Sequence, residues 1–181
     1  MASAVYRTRT LRGAVSGAIA AALWAAEQPL DKALFASSYD DVEVLGRALV
    51  GGDDWYAVGL AWHLANGALF GAVYANVAPV IPVPPVLRGP VVALTETFAT
   101  WPLASLSDHL HPRRKKLPQL TQNRKALGQA VVRHLLFGLV LGELERRLNA
   151  VPEPVPPIAD TDFSSNGSGS LEHAITAESG E

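Results

Sequence analysis

YAVGLAWHLANGALFGAVYANV, residues 56–77, contains no acid and no base, and His63, Asn66 and Asn76 are its only strongly polar side chains. A helix on the surface of a water-soluble bundle carries a polar stripe opposite its apolar one. This segment has none. The charge-free stretch runs on from Trp55 to Leu87, and three further runs hold a single charge each: Glu27 in Gly13–Leu30, Glu96 in Gly89–Ser107 and Arg133 in Ala126–Gly142. Each run offers roughly 17 to 25 residues, which at about 1.5 Å of rise per residue covers a hydrocarbon layer of about 30 Å. The sequence therefore predicts an all-α, polytopic protein with four transmembrane helices, multi-pass in the cell membrane. A water-soluble bundle of four buried helices is the alternative. For the first helix a cleaved signal peptide is a second alternative, because Arg7, Arg9 and Arg12 precede its apolar run.

The chain's 181 residues suit about one domain, and with no cysteine it has neither a disulfide framework nor a thiolate metal site. Residues 1–12 read as a basic amino-terminal segment, 13–149 as the transmembrane domain, and 150–181, rich in Pro, Ser, Gly and acids, as a disordered acidic tail.

The motif H-L-x-x-G-x-x-x-G occurs twice, as His63, Leu64, Gly67, Gly71 and as His134, Leu135, Gly138, Gly142. Helix one opens with Arg12-Gly13 and helix three with Arg88-Gly89, and each continues to a tryptophan, a Pro-Leu pair and an aspartate. This is the pattern of a tandem-duplicated helical hairpin, residues 12–78 and 88–149. Two same-sense copies would be related by a pseudo-twofold axis along the membrane normal. Residues 31–54 read as a connector holding one short helix at the interface, VEVLGRALV, and 79–87 (PVIPVPPVL) as a stiff extended link.

On each motif helix the histidine and both glycines share a face. Glycines four apart bare the backbone and let a neighbouring helix approach closely, so Gly67, Gly71, Gly138 and Gly142 are expected to pack helices, with Gly13, Gly17 and Ala20 or Ala21 as the matching surface. An imidazole in hydrocarbon needs partners for its nitrogens, and ionisable groups within a membrane mark functional sites. His63, Asn66, Glu96 and His134 form the candidate intramembrane polar site. Three readings stay open: structural hydrogen bonds from each histidine to Glu96 or to Thr95, Thr97 or Thr100; a proton or polar-substrate pathway; or haem b or a metal held by the two histidines.

In the loop after helix three, Asp108, His109 and His111 make a weak metal motif, and Arg113, Arg114, Lys115 and Lys116 are expected to meet anionic lipid headgroups. Nucleic acid is not an expected partner, because aromatic residues do not interleave with that run. The lipid bilayer is, and a glycine-faced bundle could form a homodimer or join a larger membrane complex. No G-x-S-x-G, H-E-x-x-H or phosphate-loop pattern is present, so no catalytic residue is assigned.

GAVSGAIAAALWAAEQPL at 13–30, with its glycines four apart and a glutamate near its end, followed in the second helix by a histidine ahead of F-G-x-V-Y, resembles bacterial inner-membrane proteins of the YagU type. Their pattern has tryptophan directly before that glutamate, where this chain has Ala26. The resemblance implies an inner-membrane protein without catalytic activity, loosely linked to acid tolerance. The expected function is a non-enzymatic membrane or accessory component with a buried histidine site, and a proton-linked transporter or a haem or metal carrier are the alternatives.

Overall fold

Four long helices carry the fold of residues 2–104 and 106–150, the part of the chain that the structure, a computed structural model, describes. The expected acidic tail lies, beyond Ala150, outside the described residues. Those residues are all-α: α1 (Ala2–Phe35), α2 (Asp41–Leu49), α3 (Trp55–Val77), α4 (Pro85–Ala104), the single turn α5 (Ser107–Leu110) and α6 (Arg124–Leu148). One of them, α6, is long and apolar enough to cross a membrane by length and composition.

Local chemistry sets the ends. The Asp40 carboxylate accepts from the Glu43 backbone N–H at 2.9 Å and starts α2, and Asn123 does the same for Ala126 at 3.0 Å to start α6. Three boundaries differ from the sequence reading. The basic segment 1–12 is not separate but forms the first turns of α1 from Ala2. At its other end α1 runs through Pro29 to Phe35, so Asp31 lies on the helix rather than in the connector. Proline removes one N–H from an interior turn, and bonds from Asp31 and Lys32 to other parts of the chain hold the following turn. The proline link is also shorter than expected. Ala78–Val80 form a 3₁₀ turn, and Pro85 opens α4 three residues before Arg88, at the position where a missing N–H costs nothing.

The helices pack in the order α3, α1, α6, α4. Both hairpins use bare backbone for the contact. A methyl group on Gly17 would overlap the Gly67 carbonyl, and one on Gly71 would overlap that of Gly13; across α4 and α6, a methyl group on Gly89 would overlap the carbonyl of Gly138. The same device seats α2 on α3 through Gly46 and Gly59.

Between the hairpins the arrangement is not twofold. α1 lies on α6, whereas the counterpart contact between α4 and α3 is slight at most. The side chains explain the difference. Arg9 of α1 donates to Glu145 of α6 at 3.0 Å, and Arg133 of α6 binds Asp31 of α1. Counting from the paired histidines, α3 carries Trp62 where α6 has Arg133, and Tyr74 where α6 has Glu145. Trp62 is half exposed, and no ion pair draws α3 onto α4. The pseudo-twofold expectation is corrected accordingly: one inter-hairpin seam is closed and the other stands open.

In the loop before α6, the Asp108 carboxylate accepts from the backbone N–H groups of Leu120 and Thr121 and from the Thr121 hydroxyl. His111 meets the Val44 carbonyl at 3.0 Å and accepts from the Arg113 N–H. Asp108 and His111, two of the three residues of the weak metal motif, thus brace the loop. Partial burial opposes ionisation of Asp108, but the Thr121 and Leu120 donors prevail and hold it below the ordinary aspartate value. A lowered folded value means that these bonds stabilise above about pH 4 and are lost as pH falls through the folded value. Asp108→Ala should therefore cost about 1–3 kcal/mol in thermal unfolding at pH 7, and much less near pH 2.

Candidate functional site

The open seam forms a cleft of about 320 Å³ between α3 and α4, with α1 and α6 as its floor. All four residues of the expected polar site line it, brought by three helices. His63 comes from the buried face of α3 and is 7% exposed; Asn66, one turn on, is exposed. Glu96 of α4 and His134 of α6 reach across to each other, with Nε2 and a carboxylate oxygen 2.9 Å apart. His63 makes no such contact, and its Nε2 is buried without a hydrogen-bond partner.

Protonation follows from these contacts. The Nδ1 of His134 lies 2.7 Å from the Ala130 carbonyl, which can only accept, so Nδ1 bears a proton. Its Nε2 faces the Glu96 carboxylate, so the two side chains engage each other across the cleft.

Trp24 of α1 stands against both imidazoles, 5.2 Å from His63 and 4.4 Å from His134 between ring centroids, edge to face in each case. The indole fills the space that a haem clasped between the two rings would need, and both nitrogens of His134 are engaged. Haem ligation by this pair does not fit. Among the described residues no group of three or more histidines and acids is placed to hold a metal ion.

Behind Trp24 lies a cluster that the sequence reading missed. Arg133 is fully buried. Its guanidinium binds the Asp31 carboxylate twice, meets Asp41 at 2.5 Å, and donates to the Tyr39 carbonyl at 3.0 Å. Gln129 donates to Asp31 at 3.0 Å, and the Tyr39 hydroxyl and the Trp24 indole N–H both donate to Asp41. Burial pushes the Tyr39 phenol well above its ordinary value, with the Asp41 charge acting in the same direction. For Asp41, burial works against ionisation, but Arg133 and the Tyr39 hydroxyl outweigh it and hold the carboxyl below the usual range. The signal was present in the sequence: a lone arginine in an apolar run requires an acid. With Asp31 assigned to a loop, the partner on α1 was not visible.

The remaining expectations divide by location. Gly67, Gly71, Gly138 and Gly142 all lie in the helix contacts, and Gly67 also lines the cleft. Arg113, Arg114, Lys115 and Lys116 are all exposed, in and just before the 3₁₀ turn Arg114–Lys116. Comparison of the chain with protein-family models, with curated proteins and with solved structures finds no match.

Proposed function

We propose that the chain is a four-span, multi-pass protein of the cell membrane, a tandem hairpin duplication acting as a non-enzymatic component that receives a small molecule from the lipid through the cleft between α3 and α4. One observation carries this reading: the polarity of the helices is turned inward. Leu69 of α3 and Phe98 of α4 are 66% and 59% exposed, and Leu23 and Leu139 are about half exposed, whereas Ser16, Gln28, Asp31, His63, Thr97, Gln129 and Arg133 are buried. Water would select the reverse distribution. Hydrocarbon selects this one, because each polar group must find its partner inside the bundle.

The cleft favours binding over conduction. Beyond His63 it ends where Phe70 and Phe137 meet edge to face at 5.3 Å, and further along Tyr74 and Leu141 are fully buried. The exposed bases at 113–116 suit anionic headgroups, at about 1 kcal/mol per charge near the surface. The YagU-type likeness of the first helix accords with an inner-membrane location. Expressed in bacteria, the protein should stay in the membrane pellet after alkaline carbonate washing and leave it only with detergent. Recovery in the carbonate supernatant would remove the proposal.

A further inference from the structure

We infer that the cleft recognises an uncharged, membrane-soluble alcohol or phenol, whose hydroxyl donates a hydrogen bond to Nε2 of His63. The inference rests on the proposed ligand-binding reading and adds the chemical class.

Three observations lead to the class. First, Nε2 of His63 is buried at the cleft with no hydrogen-bond partner. In the neutral ring with its proton on Nδ1, which the nearby Ala21 backbone favours, Nε2 presents a lone pair. A buried acceptor without a donor costs free energy of the order of a lost hydrogen bond, and a ligand hydroxyl removes that cost. The two other buried side-chain atoms without a hydrogen bond among the described residues, on Glu27 and Gln129, belong to residues outside the cleft lining.

Second, both carboxylates that line the cleft are already matched, Asp41 by Arg133 and Glu96 by His134. An ammonium headgroup would find no free counter-charge, and an anionic one would find carboxylates and no free cation. Charged amphiphiles are thereby disfavoured.

Third, the walls are apolar and aromatic, with Trp24, Trp101, Phe70 and Phe137 among them, and about 320 Å³ lies at the lower end of the usual range for small-molecule sites. The loose α3–α4 seam leaves an entrance at the level of the bilayer, as a lipid-borne ligand requires. An isoprenoid alcohol and a ring phenol share this chemistry, one as a chain and the other as a plate.

Titration calorimetry of the full chain in lipid nanodiscs, with empty discs subtracted, tests the inference. The probes are farnesol, 4-octylphenol, the methyl ether of each, and farnesylamine. At least one hydroxyl compound should bind about ten-fold or more tightly than its own ether. His63→Leu should abolish that preference, and His63→Gln, which keeps an acceptor, should retain part of it. If His63→Leu fails to fold, the comparison of alcohol with ether in the unaltered protein still decides. Equal binding of alcohols and ethers would overturn hydroxyl recognition while leaving the cleft as a binding site. Tightest binding of farnesylamine would overturn the uncharged class. No specific heat from any probe would overturn both the class and the binding reading beneath it.

Discussion

Arg133→Met is expected to lower the stability of the helical domain by about 3–5 kcal/mol, the usual loss when one partner of a buried ion pair is removed. The substitution keeps the volume of the side chain and deletes the charge that Asp31 and Asp41 share. Two carboxylates and the Tyr39 carbonyl lose their donor at once, in a place without water to replace it. The seam between α1 and α6 should loosen with them, because Arg133 and Gln129 are the α6 residues that grip Asp31. Thermal unfolding in detergent, followed by circular dichroism, gives the loss directly. Adding Asp31→Leu to Arg133→Met should restore part of the stability, since a matched apolar pair costs less than an unpaired buried charge. A single variant as stable as the parent would show that the cluster holds nothing together.

Gly17→Leu is expected to cost about 3 kcal/mol or more, at or above the upper end for overpacking, because the obstacle is the backbone of a neighbouring helix and not a side chain that can turn away. The added group collides with the Gly67 carbonyl and with Cα of Gly71, so α1 and α3 must part along their glycine contact. Smaller substitutions make the comparison quantitative. Gly138→Ala meets the Gly89 carbonyl at 2.6 Å and should destabilise, whereas Gly142→Ala meets its nearest atom, Cα of Gly89, at 3.2 Å and should cost less. Gly52→Ala, with nothing within 4 Å, should be neutral. Equal melting temperatures across this series would remove close helix approach as the packing principle.

Much of this architecture was legible before any coordinates. Runs of apolar residues placed the four long helices, the spacing of Gly67 from Gly71 and of Gly13 from Gly17 marked the faces that meet, and the repeated histidines pointed to a polar site whose four residues line one cleft. Such features are local, and a single helix displays them. The charge cluster is different in kind, because Arg133 lies 102 residues from Asp31 and a sequence offers several acids of equal standing. The choice depended on α1 continuing past Pro29, which the rule that proline ends helices argues against. The open seam was obscured for a related reason. Repetition suggested symmetry, and only the exchange of Trp62 for Arg133 and of Tyr74 for Glu145 between the copies signals that one contact is held by charge and the other is not.

The inward-turned polarity of the helices is the claim on which the rest depends, and the absence of cysteine makes it open to a direct measurement. Single cysteines at Leu69, Phe98 and Leu135, with one at Arg114 for comparison, can carry nitroxide spin labels in protein reconstituted into vesicles. Collision rates with dissolved oxygen, which concentrates in hydrocarbon, and with a water-soluble nickel chelate then report what surrounds each position. Oxygen is predicted to dominate at 69, 98 and 135 and the nickel chelate at 114. Nickel access at 69, 98 and 135 equal to that at 114 would place those faces in water and contradict the account.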